Sequence, residues 1–247
     1  MACFACGGTV APDGNCWDCG RAQPAYRARI ELSGPRGATA VSDRGLRRGI
    51  NADAVTLTGA GPWTVAVVCD GVSMTARSER AAQVAADTAT AVIIARLDAG
   101  DLPEDALTTA TVRAGRAVAA LAESPACTLV AAVAGPDGIF VAWVGDSRAY
   151  WIPGTGTPIP LTVDDADALG VMTAWLGGGM NDTTPQIRSL RPRARTPAAL
   201  HGRPLAVRHP AAPPRPGSRA GRVCAGAGRA RQHHGAAGAD SRREPPR

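Results

Sequence analysis

Two Cys-x-x-Cys-Gly stretches stand close to the start of the chain, at residues 3–7 and 16–20. Two cysteines in a tight turn, followed by a glycine that lets the backbone curl, match half of a tetrahedral zinc site. The spacing therefore predicts a zinc ribbon over residues 1–20, with a closed structural site formed by Cys3, Cys6, Cys16 and Cys19. A redox or disulfide pair is the alternative, but two matched turns favour zinc. The ribbon is also a candidate contact surface for a protein partner.

Acidic residues stand at the ends of several strand-like stretches. Asp53 closes the segment R-G-I-N-A-D that begins at Arg48, Asp70 ends an apolar run and precedes a glycine, and Asp146 lies in the turn G-D-S-R. Carboxylates held at the ends of strands form an all-oxygen site suited to Mg²⁺ or Mn²⁺ when several converge. A single Asp-Gly is ordinarily a turn, and Asp146 also fits a structural turn with an internal ion pair.

The positions of these residues depend on the strands and helices around them. Apolar or alternating runs predict strands at residues 28–32, 54–57, 63–69, 127–134, 139–144 and 148–152. Apolar residues at three and four spacing predict helices over residues 76–97 and 103–123. Strands, then two long helices, then more strands favour an α+β sandwich over a regular β-α repeat.

Charge is distributed unevenly along the 247 residues, whose net charge is +6. Residues 1–187 contain 13 arginines and 19 acidic residues, giving −6, whereas residues 188–247 contain 14 arginines and 2 acidic residues, giving +12. The second segment has nine prolines and no Phe, Trp or Tyr, which predicts a disordered basic tail without specific nucleic-acid binding. No apolar run reaches the roughly 18 residues of a membrane span, so we expect a soluble, cytoplasmic protein with no membrane partner.

Taken in order, the motifs resemble those of the metal-dependent protein phosphatases, the PPM or type 2C serine/threonine phosphatases. The matching stretches are R-x-x-N-x-D at 48–53, V-x-x-D-G at 67–71, the strand bearing Thr128, G-D-S-R-x-Y-W at 145–151, L-T-V-D-D at 161–165 and A-W-L-G-G at 174–178. The resemblance covers about residues 29–187, after a linker at 21–28. It implies an αββα sandwich, C-terminally incomplete, in which two central sheets are flanked by helices.

The resemblance also implies an activity and roles for individual residues. The family hydrolyses phosphoserine and phosphothreonine in proteins with a water activated by two Mn²⁺ or Mg²⁺ ions. By resemblance, Asp70 would bridge the ions, the Gly71 carbonyl would complete one coordination shell, and Asp53 would hold a coordinated water. Arg48 would bind the phosphate, which makes Asp70 and Arg48 the predicted catalytic residues. Asp146 corresponds to the acid at a third, weaker metal site.

Two aspartates that the family needs, in its T-D-G-L-W and D-N-x-T motifs, are missing from this chain. With suitable synonymous codons, residues 195–208 and 231–240 read one base out of frame as APPLLCTDGLWRYA and DNITALLVLI. Both motifs thus occur in the same shifted frame and in the right order. We hypothesise a frameshift between about residues 182 and 195, which makes the tail out-of-frame and impairs the enzyme. The alternatives are a non-catalytic binding module formed by the ribbon, and a pseudophosphatase that binds phosphoproteins through Arg48.

Overall fold

The computed structural model describes residues 2–11, 14–21, 23, 28–45, 50–152, 157–180 and 183–191, together with the backbone of two later strands. The elements in chain order are β1 (Arg29–Ser33), β2 (Thr39–Asp43), β3 (Asp53–Ala60), β4 (Trp63–Asp70), α1 (Ser78–Asp98), α2 (Pro103–Ala119), β5 (Ala126–Cys127), β6 (Leu129–Gly135), β7 (Gly138–Val144), β8 (Arg148–Trp151), β9 (Ile159–Pro160), β10 (Leu176–Gly177), β11 (Gln186–Leu190), β12 (Leu205–Arg208) and β13 (Arg222–Ala225).

A five-stranded antiparallel sheet forms the centre of the described structure, in the order β11-β7-β6-β4-β3. Its middle strands are apolar on both faces, as expected for a sheet that is covered on both sides. Val65, Val67 and Cys69 belong to the core on one face, whereas Ala66 belongs to the core on the other. The period of two along each strand therefore decides which layer a side chain contacts.

Helices α1 and α2 cover one face of this sheet and pack against each other. The buried side of α1 consists mainly of alanines, with Ile93 and Leu97 toward its C-terminal end. Small side chains let the helix approach both its neighbour and the sheet closely. Helix α2 begins at Pro103, whose fixed φ and missing N–H suit the first turn of a helix.

A second sheet covers the other face, in the order β1-β2-β13-β12-β8-β9. Ala40 from β2, Ala149 from β8 and Trp143 from β7 are buried in the core between the two sheets. The expected α+β sandwich is thus confirmed. Three of the four layers of an αββα arrangement, one helical layer and two sheets, occur in the described part of the chain.

The structure departs from the expected disordered tail in three places. Strand β11 pairs with β7 and extends to Leu190, past the predicted boundary at residue 187. Strands β12 and β13 lie within the tail and complete the second sheet between β8 and β2. Strands β2 and β8 supply the edges along which β13 and β12 pair. The remaining residues of 192–247 lie outside the described residues.

Among the described helices, none is long and apolar enough to cross a membrane.

Candidate metal centres

The structure brings the four predicted ribbon cysteines together. Their sulfur atoms all lie within 4.8 Å of one another, and this is the one group of three or more such ligands that the described residues form. Cys3 Sγ lies 3.7 Å from Cys19 Sγ, and Cys6 Sγ lies 3.5 Å from Cys16 Sγ. A tetrahedral zinc ion with Zn–S bonds of about 2.3 Å requires sulfur atoms about 3.8 Å apart. The cluster therefore fits zinc, and all four thiols are free rather than joined in disulfides.

The two turns of the ribbon have the same local geometry. The amide of Ala5 donates to Cys3 Sγ at 3.3 Å, and the amide of Asp18 donates to Cys16 Sγ at 3.4 Å. Each turn closes on a glycine in the left-handed region, where side chains are disfavoured, with φ of +74° at Gly7 and +70° at Gly20. The backbone conformation of each turn therefore explains why a glycine follows the second cysteine in both.

The thiols of the cluster do not ionise independently. Burial raises the pKa of Cys3, but hydrogen bonds from the amides of Ala5 and Cys6 outweigh it and lower the pKa to about 6. The amide of Gly8 lowers the pKa of Cys6, yet the sulfurs of Cys19 and Cys16 raise it to about 12 overall. One thiolate therefore opposes ionisation of its neighbour, and a bound cation is what favours ionisation of the whole set.

The ribbon extends beyond its predicted end at residue 20. Gln23 is buried, donates from Nε2 to Cys3 Sγ at 3.3 Å, and accepts a 2.9 Å hydrogen bond from the amide of Phe4. The carbonyl of Arg21 accepts a hydrogen bond from the amide of Cys16 at 3.0 Å. These contacts place part of the predicted linker on the ribbon. Nothing in the residue type of a single glutamine indicates this role.

Asp53 and Asp70 are direct partners in the antiparallel pairing of β3 with β4. Side chains at opposite positions of such a pair share a face, with Cβ atoms about 5 Å apart. The register continues from Val55 opposite Val68, which contact the core between the two sheets. Both carboxylates therefore lie at the end of the five-stranded sheet, on its inter-sheet side. Asn51 holds the start of β3 in place, because its Oδ1 accepts the Asp53 amide at 3.2 Å.

Thr128 links Asp70, at the end of β4, to the turn that follows β7. Its amide donates to the Asp70 carbonyl at 2.8 Å, and the Asp70 amide donates to Thr128 Oγ1 at 3.2 Å. The same hydroxyl is 2.7 Å from Ser147 Oγ, in the turn that contains Asp146. Thr128 and Ser147 are buried, so Asp70 and the turn after β7 are tied to the same end of the sheet.

Two glycines at this end are required by close packing. A Cβ added to Gly71 would lie 2.6 Å from the carbonyl oxygen of Ser78, at the start of α1. Gly145 has φ of +100°, and a Cβ there would lie 2.7 Å from Cγ2 of Thr128. The amide of Gly145 donates to Asp165 Oδ2 at 2.9 Å, which fixes the turn that contains Asp146. The Asp-Gly and Gly-Asp pairs of the sequence are therefore tightly packed turns.

The remaining predicted residues are placed as follows. Arg48 lies outside the described residues. Arg148 forms a two-pronged ion pair with Asp164, at 2.8 Å from Nε and 2.5 Å from Nη2, and this carboxylate raises the pKa of the guanidinium. Cys69 and Cys127 are buried beside each other in the core, and burial raises the pKa of Cys69 well above its usual value, as expected for unreactive core thiols.

The donor set at this end of the sheet has the chemistry that Mg²⁺ and Mn²⁺ prefer, since it consists of carboxylate and backbone oxygens. Asp53 and Asp70 supply two carboxylates in register, and Asp146 follows the strand that ends at Val144. Among the described residues, these carboxylates do not form a cluster of three converging ligands. The residues fit one part of a divalent-metal site.

A family model described as protein phosphatase 2C matches residues 46–195, which is more than half of the chain. The chain therefore belongs to the protein phosphatase 2C family, as the motifs predicted. The matched span includes Asp53, Asp70, Gly71 and Asp146 and begins after the four-cysteine ribbon. A comparison with curated proteins gives no match.

Solved structures of bacterial phosphatases share the fold. The serine/threonine phosphatase Stp1 from Staphylococcus aureus is 20% identical, with a TM-score of 0.56 over 72% of this chain and 78% of that one. The PPM phosphatase MsPP from Mycobacterium smegmatis is 23% identical, with a TM-score of 0.53 over 70% and 77%. The catalytic domain of PstP, solved with two manganese ions, is 23% identical, with a TM-score of 0.52 over 69% and 75%. None of these comparisons favours the alternative of a non-catalytic binding module.

Proposed function

We propose that this chain is the impaired form of a metal-dependent phosphatase that hydrolyses phosphoserine or phosphothreonine in proteins. The observation that carries the proposal is the pairing of Asp53 with Asp70 at the end of the five-stranded sheet, within the span of the family match. Membership of the protein phosphatase 2C family and the two manganese ions of the similar PstP domain support Mn²⁺ or Mg²⁺ as the cofactor.

The proposed role of each residue follows from the resemblance of its motif to that of the family. By resemblance to the family, Asp70 and the Gly71 carbonyl would hold the divalent ions, and Asp53, on the opposite strand, would hold a coordinated water. Asp146 contributes to a further, weaker site, and Arg48 binds the phosphate through its planar guanidinium. When bound, a pair of divalent ions supplies a water acidic enough to ionise near neutral pH and neutralises phosphoryl oxygens. The register of β3 with β4 and the hydrogen bonds of Thr128 support this role for Asp53 and Asp70, because they hold both residues at the same end of the sheet.

Impairment follows from the carboxylates that are missing. After residue 187 the acidic residues are Asp240 and Glu244, and neither stands in a T-D-G-L-W or D-N-x-T motif. A dinuclear site that lacks two ligand carboxylates has less negative charge to offset four positive charges. The frameshift between about residues 182 and 195 explains both the loss of these motifs and the charge of +12 after residue 187.

The four-cysteine cluster is proposed as a structural zinc site. Its sulfur separations of 3.5 and 3.7 Å are close to those of a tetrahedral ZnS₄ centre. Four protein ligands leave no open position for a substrate, so this centre stabilises the ribbon instead of reacting. The exposed side chains of Phe4 and Trp17, one after the first cysteine of each turn, give the ribbon an apolar surface for a protein partner.

The experiment that tests the proposal compares two proteins in hydrolysis of 4-nitrophenyl phosphate with Mn²⁺. One is this chain, and the other is encoded after removal of one base between the codons for residues 182 and 195. We expect Mn²⁺-dependent turnover in the restored chain, and turnover at least about 100-fold lower in this chain, because losing metal ligands costs more than losing their outer partners.

Variants of the restored chain separate the metal ligand from a general effect on folding. Asp70→Ala should abolish turnover and leave the circular dichroism spectrum unchanged. Asp137→Ala, in the exposed turn between β6 and β7 at the opposite end of the sheet, is the matched control and should retain activity. Activity in Asp70→Ala, or inactivity of a restored chain that binds Mn²⁺, would contradict the proposal.

A further inference from the structure

The first turn of α1 lies between the four-cysteine ribbon and the carboxylate end of the five-stranded sheet. On one side, Asn15 Nδ2 donates a 3.0 Å hydrogen bond to Glu79 Oε1. On the other side, Gly71 packs against Ser78 so closely that an added Cβ would lie 2.6 Å from the Ser78 carbonyl oxygen. Ser78 and Glu79 are consecutive, so a single helical turn contacts both candidate metal centres.

The start of α1 adopts a conformation that its own residues do not favour. Arg77, at the N-cap, has φ of 55° and ψ of 33°, in the left-handed region, and its side chain makes no capping hydrogen bond to the helix. A non-glycine residue in this region persists only where the surrounding structure holds it there. Contacts that hold the adjacent turn, such as the one between Asn15 and Glu79, therefore stabilise the start of the helix.

The position of Asn15 depends on the ribbon. Asn15 directly precedes Cys16, one of the four sulfur ligands, and its carbonyl accepts a 2.7 Å hydrogen bond from the amide of Ala11. Gly14 forms the turn before it with φ of +84°. A ribbon that loses its metal loses the constraint that orients Cys16, and with it the orientation of the Asn15 side chain.

The segment between Gly71 and α1 is hydrogen-bonded to the strand end at Ala126. The amide of Val72 donates to the Ala126 carbonyl at 2.9 Å, and the amide of Ala126 donates to Thr75 Oγ1 at 3.1 Å. Asp70 immediately precedes this segment, and its carbonyl and amide are held by Thr128. A shift of the first turn of α1 therefore acts on Gly71 directly and on the backbone of Asp70 one residue away.

We propose that Asn15 and Glu79 are positioning residues through which zinc in the ribbon stabilises the backbone at Asp70 and Gly71. Occupancy of the ribbon thereby regulates the order of the phosphatase-type site. The inference rests on the proposed metal roles of both centres. Its test uses hydrogen exchange, which requires no catalysis, so that its outcome is independent of whether the chain hydrolyses phosphate esters.

The test measures amide hydrogen exchange of the full chain by mass spectrometry, with zinc bound and after removal of zinc by a chelator. We expect chelation to accelerate exchange about 3- to 10-fold in peptides that cover residues 71–80, a change equal to the loss of about one hydrogen bond. Peptides from the middle of α2 and from β6 should not change. Asn15→Ala should produce the same acceleration while zinc remains bound.

Removal of zinc and the Asn15→Ala substitution must be coupled if both act through the contact between Asn15 and Glu79. In the Asn15→Ala variant, chelation should therefore add no further acceleration at residues 71–80. Glu79→Gln keeps an oxygen acceptor and should retain the response to chelation, whereas Glu79→Ala should lose it. Trp17→Ala, at an exposed position of the ribbon, and Glu104→Ala, in the first turn of α2, are the matched controls and should respond to chelation like the unaltered chain.

Two results would overturn the inference. The first is unchanged exchange at residues 71–80 after chelation, with loss of zinc confirmed by metal analysis. The second is independent action, in which chelation accelerates exchange as much in Asn15→Ala as in the unaltered chain. If Asn15→Ala destabilises the whole ribbon, the comparison of Glu79→Gln with Glu79→Ala decides the question, because both substitutions lie outside the ribbon.

Discussion

Thr128 provides the most direct probe of how the strands at the carboxylate end are held together. Its hydroxyl is buried, accepts the Asp70 amide at 3.2 Å and pairs with Ser147 Oγ at 2.7 Å. Thr128→Val keeps the shape and the β-branching of the side chain but removes both hydrogen bonds. The Asp70 amide and the Ser147 hydroxyl then lose their partner in a region with little access to water.

The expected cost follows from these two hydrogen bonds. At about 0.5–1.5 kcal/mol for each bond, Thr128→Val should lower the free energy of unfolding by about 1–3 kcal/mol. For a chain of this size, each 1 kcal/mol lowers Tm by about 2–4 °C, so the melting temperature should fall by about 2–12 °C. Thr128→Ser retains the hydroxyl and loses one methyl group next to Gly145, which costs about 1 kcal/mol.

Urea denaturation, monitored by tryptophan fluorescence, measures the free energy of unfolding of both variants. Hydrogen exchange then locates the change, which should be concentrated at the Asp70 amide and in the turn that contains Ser147. A Thr128→Val protein as stable as the unaltered chain would show that the hydroxyl does not hold these strands together. Thr128→Ser keeps the hydroxyl, so exchange of the Asp70 amide that is as fast in Thr128→Ser as in Thr128→Val would show that the hydroxyl does not protect this amide, and would also contradict the reasoning.

Two further outcomes are expected. Cys16→Ser should reduce bound zinc from about one ion per chain to none detectable by atomic absorption, and Cys69→Ser, outside the cluster, should retain it. The amide of Gly45 and the guanidinium of Arg29 lower the pKa of Asp43, so its contribution to stability is present above its unfolded pKa and is lost as pH falls through the folded value. Asp43→Asn should therefore destabilise by about 0.5 kcal/mol at pH 7 and progressively less as the pH falls below the ordinary carboxyl pKa of 3.8. A loss of stability that does not change with pH would contradict this.

Patterns of neighbouring residues were enough to predict the centre of the fold. The apolar run from Trp63 to Cys69 predicts a buried strand, and β4 occupies Trp63–Asp70. The two helices were predicted within two residues at their starts, although α2 ends at Ala119 and not at residue 123. These elements depend on local periodicity, which the sequence displays directly.

Elements that depend on distant partners were missed. Strand β2 has a single branched aliphatic residue, Val41, among small and polar ones, and it forms because β1 and β13 pair with it. Strand β10 consists of Leu176 and Gly177 and exists through its pairing with β5. A two-residue strand has no period to detect, so its formation is decided by tertiary structure.

The candidate sites likewise contain features that local spacing predicts and features that depend on distant residues. The paired Cys-x-x-Cys-Gly turns predicted the four-sulfur cluster, because the spacing within each turn determines its geometry. The contact of Asn15 with Glu79 joins residues 64 positions apart, and the hydrogen bond of Thr128 with Ser147 joins two polar side chains with no motif in common. Such contacts depend on how layers pack, and residue types alone do not indicate them.

The measurement that tests the central claim most directly is the affinity for Mn²⁺, determined by electron paramagnetic resonance, of this chain and of the frame-restored chain. The account places the divalent-metal site where β3 begins and β4 ends, with two of its carboxylates missing from this chain. It therefore predicts that the restored chain binds two Mn²⁺ ions. This chain then binds Mn²⁺ at least about tenfold more weakly, and Asp70→Asn removes binding from both. Equal affinity in the two chains, or binding that survives Asp70→Asn, would contradict the account.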